Sequence, residues 1–151
     1  MAKDQDKMDV LTGVIDPDSK TYSFNRTMTV SGKKQTGAFT AKYMGITARL
    51  RLGTIRAKLL DGAPTQSVDA LTDDIAYMIA YLNVALIKFP NWWNYDNLDS
   101  IEELRDMYLE VYNFMRKFRE QNETSADVGR SSTSLSKTNM ESVQRTAIAT
   151  D

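Results

Sequence analysis

At 151 residues the chain has the length of one domain, and a compact chain of this size buries on the order of 70% of its unfolded surface. Cysteine is absent, which excludes disulfide scaffolds, thiolate metal sites and cysteine nucleophiles, and histidine is absent too, which removes the commonest general base and the usual zinc ligand. The net charge of −1 hides a segregation: residues 21–60 carry eight cations and no acid, whereas residues 61–110 carry ten acids against Lys88 and Arg105. A basic half of this kind either contacts nucleic acid or docks on the acidic half, in the same chain or in a copy of it. The cations are not interleaved with a nucleic-acid-binding motif, so docking is the expectation and nucleic acid is not an expected partner.

Residues 1–20 read as a polar, flexible arm. Lys3, Asp4, Asp6, Lys7 and Asp9 have no apolar run behind them, so neither a signal peptide nor an anchor is expected there. One apolar cluster, Val10, Leu11, Val14 and Ile15, precedes a turn signal at Asp16-Pro17-Asp18.

From Thr21 the period becomes two. Tyr22, Phe24, Met28 and Val30 alternate with Ser23, Asn25, Thr27 and Thr29, interrupted only by Arg26 on the apolar side. Ser31-Gly32-Lys33-Lys34 supplies a turn in which Gly32 can take positive φ, and Phe39, Ala41 and Tyr43 alternate in the returning strand. The pair predicts a β-hairpin whose free edges are assembly surfaces, with Gly37 marking a bulge or a close backbone approach.

Thr47 is the expected N-cap of a helix over residues 48–60 that stops at Asp61-Gly62, with Ile46, Leu50, Gly53, Ala57 and Leu60 as its stripe and Arg49, Arg56 and Lys58 off that line. Residues 63–67 form a linker. Residues 69–93 then read as one long central helix closed by Phe89-Pro90-Asn91-Trp92-Trp93, because Val68, Leu71, Ile75, Met78, Ile79, Leu82, Leu86 and Phe89 recur at helical steps and Pro90 stops the pattern. Tyr77, Ala80, Tyr81, Val84 and Ala85 widen its apolar surface, so it should lie between other elements. Ile75 to Phe89 is the longest apolar-rich region, and it is shorter than the roughly 20 residues of a bilayer span, so no membrane association is expected.

Trp92, Trp93 and Tyr95 form an aromatic cluster that either closes the core or anchors a partner. Asp99 as N-cap with Glu102 three residues on opens a last helix. Its seam is Ile101, Leu104, Tyr108, Val111, Met115 and Phe118, and Met107, Tyr112 and Phe114 give a second apolar line that can meet a partner. Residues 121–151 are Ser/Thr-rich and are expected to be disordered alone. The fold class that emerges is α+β and mainly helical. It comprises an N-terminal β-hairpin followed by three helices over residues 21–120, with a flexible N-terminal arm over 1–20 and a C-terminal tail over 121–151.

No glycine-rich phosphate loop, nucleophile elbow or calcium loop occurs, so no enzyme, no metal and no cofactor are expected. The partner-binding candidates are Trp92, Trp93, Tyr95, Met107, Tyr112 and Phe114, together with Arg49 and Arg56 on the basic helix.

The order of features resembles the tail assembly chaperones of long-tailed bacteriophages. The similar parts are a Tyr-x-Phe-x-Arg-Thr-x-Thr-Val strand at residues 22–30, a Thr-Gly-x-Phe-Thr-Ala-Lys return at 36–42 and a basic helix ending Arg56-Ala57-Lys58-Leu59-Leu60-Asp61-Gly62. An Ala-x-x-x-Ala-x-Leu-x-Val segment at 76–84, Pro90-x-Trp92-Trp93 and a final Glu-rich helix complete it, over about two thirds of the chain. The resemblance implies a non-enzymatic protein of the host cytoplasm during phage assembly. It would bind the tape-measure protein, recruit tail-tube protein subunits and associate with itself. The competing readings are a structural virion protein of the phage neck or tail, and a nucleic-acid-binding regulator that uses the basic half.

Overall fold

A computed structural model describes the backbone of residues 11–148 and the side chains of residues 11–125. The chain divides into two compact units, Met1–Met115 and Arg116–Asp151. The first unit contains strands β1 (Val14–Asp16), β2 (Thr21–Val30) and β3 (Lys33–Lys42), helices α1 (Ile46–Leu59) and α2 (Ala70–Ala85), and strand β4 (Leu86–Lys88); a last helix, α3, covers Ile101–Ile148.

The expected hairpin exists, but it is the middle of a larger sheet. β2 and β3 pair antiparallel in unbroken register from Thr21↔Lys42 to Val30↔Lys33, and the two-residue turn takes positive φ at both Ser31 and Gly32. The sheet has four antiparallel strands in the order β1-β2-β3-β4, which corrects the hairpin-plus-three-helices expectation. β1 comes from the stretch expected to be a flexible arm, pairing Val14 to Ser23 and Asp16 to Thr21 after the turn that Asp16-Pro17-Asp18 announces. β4 comes from the stretch expected to end the central helix. That helix stops at Ala85, and Leu86 and Lys88 pair with Ala41 and Thr40.

The two sheet faces are chemically opposite. Tyr22, Phe24, Met28, Val30, Phe39 and Ala41 are buried on one, while Ser23 bonds Thr40 at 3.2 Å and Thr27 bonds Thr36 at 2.8 Å on the other. Gly37 makes no bulge. A Cβ there would lie 2.5 Å from Pro90 Cγ and 2.9 Å from Trp92, so the missing side chain admits the Pro90–Trp92 segment onto the sheet.

β1 covers only the first residues of β2, and the segment that leads into α3 meets the far end of β2 and the turn after it. Glu103 accepts from the Thr29 amide at 3.2 Å, Asp99 accepts from the Gly32 amide at 2.9 Å, and the Asn97 carbonyl accepts from the Ser31 amide at 3.1 Å. The predicted cap is therefore shifted by one residue: Ser100 Oγ accepts from the Glu103 amide at 3.3 Å, since the Asp99 carboxylate serves the hairpin turn. Further along α3, Glu110 accepts from Tyr22 Oη at 2.6 Å and from Thr12 Oγ1 at 2.8 Å, and Tyr22 Oη accepts from the Gly13 amide at 2.8 Å. Arg26, the one cation on the apolar face of β2, lies between Asp106 at 3.5 Å and Glu110 at 3.8 Å.

In the second unit the helix continues past the composition change at residue 121, where a tail without structure was expected. No proline or glycine stands in residues 116–125, Arg116–Glu120 and Arg119–Glu123 pair at helical spacing, and the Thr124 and Ser125 hydroxyls bond the carbonyls of Glu120 and Gln121. A Ser/Thr-rich composition lowers helix propensity without stopping a helix already running.

Candidate functional site

The predicted partner-binding residues fall into three environments. The first is a chain of aromatic rings across the sheet. Phe114 stacks on Tyr22 at 5.2 Å, Tyr22 on Phe24 at 5.0 Å and Phe24 on Phe39 at 5.6 Å; Trp92 and Trp93 then meet Phe39 edge-on at 5.9 and 5.3 Å. Trp93 is buried and Trp92 half-buried, so the tryptophan pair closes the end of the core and is no exposed stacking platform. Tyr95 packs against Trp93 at 5.3 Å and donates to Asn83 Oδ1 at 2.8 Å, and burial pushes its phenol up to about 12. Met107 and Phe114 are both fully enclosed, so the second line proposed for α3 faces the interior at these two positions. They shape a surface only from beneath.

The second environment is a tyrosine cluster between α2 and α3. Tyr77 and Tyr81 rise from α2 one turn apart and Tyr108 and Tyr112 from α3 one turn apart; Tyr81 meets Tyr108 edge-on at 5.0 Å and Tyr108 stacks on Tyr112 at 5.7 Å. Tyr112, one of the predicted residues, is 39% exposed and forms the outer end of the cluster. Burial pushes the Tyr108 phenol up to about 12 and the Tyr81 phenol higher still. A cleft of about 410 Å³ opens beside the cluster, lined by Asp74, Tyr77, Met78, Arg105, Tyr108 and Leu109.

The third is the basic helix α1. Arg56 forms a forked ion pair with Asp73 of α2 and its guanidinium stands 5.6 Å from the Tyr77 ring; the bond to Asp73 holds it above the ordinary arginine range, so it is permanently charged. Arg49 is exposed. The stripe expected to bury α1 points the other way: Ile46 is 83% and Leu50 is 70% exposed, and Gly53 and Ala57 are exposed as well. Leu52 and Leu60 are the buried residues at this helix, with Ile55 half-buried. Gly45 caps the helix without a side-chain hydrogen bond, in place of Thr47.

Part of the charge segregation is absorbed within the chain. Arg26 and Arg56 of the basic half meet Asp106, Glu110 and Asp73 of the acidic half. Among the described residues, no group of three His, Cys, Asp or Glu is arranged to hold a metal, and no helix is long and apolar enough to cross a membrane.

Sequence reasoning missed the outward turn of Ile46 and Leu50, and it placed Phe89 in the core although the side chain is 54% exposed beside an equally outward Ile87. It named all four tyrosines without seeing them as one cluster. Their paired i, i+4 spacing on two helices was the available signal. No protein-family model matches the chain, and neither the curated proteins nor the solved structures contain a match to it.

Proposed function

We propose that the chain is a non-enzymatic assembly protein of a long-tailed bacteriophage, a tail assembly chaperone that holds the tape-measure protein and recruits tail-tube subunits. The sequence resemblance supplies the identity of the clients. The observation that carries the reading is the exposed apolar surface of α1, led by Ile46 and Leu50, on a helix that carries four cations and no acid. Large aliphatic side chains left in solvent on a charged helix are what a protein needs to engage an apolar helical client reversibly. Attraction of opposite charges then steers the encounter and sets the partner's sign.

The test is a pull-down from phage-infected cells with the tagged chain, followed by identification of the bound proteins. Recovery of a long helical tape-measure protein and tail-tube subunits is expected. Recovery of DNA or RNA with no tail protein would overturn the reading, as would incorporation of the chain into purified mature particles as a fixed component.

A further inference from the structure

The two sides of α1 differ in what they meet. Leu52 and Ile55 face the body of the protein, and on the opposite side Ile46, Leu50, Gly53 and Ala57 follow one another at steps of four, three and four. At the helical rise this seam is about 16 Å long, some three turns. At 100° per residue, Arg49 and Arg56 border it on one side and Thr47 and Thr54 on the other, with Lys58 and Arg51 farther round the helix beyond the threonines. Arg56 is engaged by Asp73, but Arg49, Arg51 and Lys58 meet no carboxylate among the described residues, and α1 itself has no acid.

Gly53 sharpens the picture. Glycine weakens a helix interior relative to alanine, and a Cβ built on Gly53 meets nothing within 4 Å, so nothing among the described residues requires it. A second helix laid on the seam would require it, because Gly53 and Ala57 let two backbones approach closely while Ile46 and Leu50 fill the grooves beside them. We infer that the outer face of α1 is a docking surface for an acidic amphipathic helix of another protein, with small or aliphatic residues at its centre and carboxylates along the margin that meets Arg49. A second copy of the same face is disfavoured by its own charge, since each copy of α1 brings cations and no acid to meet them. A bilayer is disfavoured by shape, since a membrane-lying face is built from bulky side chains and here half of the seam is glycine and alanine. The inference rests on α1 alone and does not require the client to be a tape-measure protein.

The experiment titrates the full chain with two designed helical peptides that share an alanine- and leucine-centred seam, one flanked by glutamates and one by lysines. The glutamate peptide binds, its affinity falls as salt rises, and the lysine peptide does not bind. Leu50→Glu, at an exposed position, weakens binding by about tenfold or more with unchanged circular dichroism. Gly53→Ala leaves the thermal midpoint unchanged or higher and yet weakens the same peptide several-fold, a combination that a merely structural role for Gly53 would not produce. Equal binding of both peptides, binding of neither, or indifference to Leu50→Glu overturns the inference. So does self-association of the chain that Leu50→Glu abolishes, or Leu50-dependent binding to vesicles containing phosphatidylglycerol.

Discussion

Two glycines make the argument at the scale of single residues, because the same substitution should act with opposite sign at each. A methyl group at Gly37 enters space already held by Pro90 and Trp92, on a strand whose pairing leaves little room to shift. Gly37→Ala is expected to destabilise the protein by about 1–3 kcal/mol, the usual range for overpacking. Gly53→Ala adds its methyl group to open space in a helix interior and should stabilise by up to about 1 kcal/mol. Urea unfolding of both variants measures the pair, and a loss of stability at Gly53 would mean that the face of α1 is already covered. The sequence alone marked Gly37 as a bulge or a close backbone approach and set Gly53 on the stripe of α1, yet it could not distinguish a neighbour inside the chain from one outside it. That distinction depends on what lies across from the backbone, and no local pattern encodes it.

At the scale of elements, the acidic beginning of α3 supplies acceptors to the far end of β2 and to the turn that follows it. Electrostatics with the helix dipole explains acids in a first turn, but here their positions also match amide hydrogens that no strand reaches. Glu103→Ala removes the acceptor of the Thr29 amide and should cost about 1–2 kcal/mol, whereas Glu102→Ala, at an exposed neighbour, should stay within about 0.5 kcal/mol. Equal effects from the two would show that the carboxylates act through the dipole alone.

The tyrosines give a pH dependence with a definite sign. Burial raises the phenols of Tyr22, Tyr95 and Tyr108 to about 12 from an unfolded value of 10.0, and that of Tyr81 further, so the folded state holds these protons more tightly than the unfolded one. Their contribution is complete below pH 10 and is lost as pH rises through about 12. Chemical denaturation across this window should show stability falling steadily, with tyrosinate absorbance appearing together with unfolding. Ionisation of most tyrosines near pH 10 with the fold intact would place these rings in water.

What the sequence disclosed about elements follows the length of each pattern. Alternation over residues 22–30 and again over 38–43 sufficed to define β2 and β3, their inward faces and the turn between them. Three residues in each of β1 and β4 did not. Leu86 even continues the helical stripe of Leu82, and only pairing with Ala41 ends the helix early, a tertiary preference overriding a local one. For α1, apolar residues on two opposite sides left the inward side undetermined by periodicity. Of the stripe chosen, Ile46, Leu50, Gly53 and Ala57 proved to face outward, and Leu60 alone is buried.

For the molecule as a whole, the charge segregation takes on a division of labour. Arg26 and Arg56 are neutralised by acids of the other half and tie sheet and helices together, while Arg49, Arg51 and Lys58 stay exposed on the helix that also exposes Ile46 and Leu50. A surface that is apolar at its centre and polar and cationic around it suits transient capture of another chain better than permanent burial. The candidate site was thus half legible: Arg49, Arg56 and Tyr112 lie at surfaces, whereas Trp93, Met107 and Phe114 are buried, Phe114 against Tyr22 and Trp93 against Phe39.

The central proposal, that this protein acts by holding a tape-measure protein, is tested most directly by co-expressing it with a tape-measure protein encoded in the same genome and measuring how much of that protein remains soluble. The account predicts a soluble complex that co-purifies with the chain and an insoluble tape-measure protein when the chain is left out. Solubility of the tape-measure protein that is the same with and without the chain would contradict it.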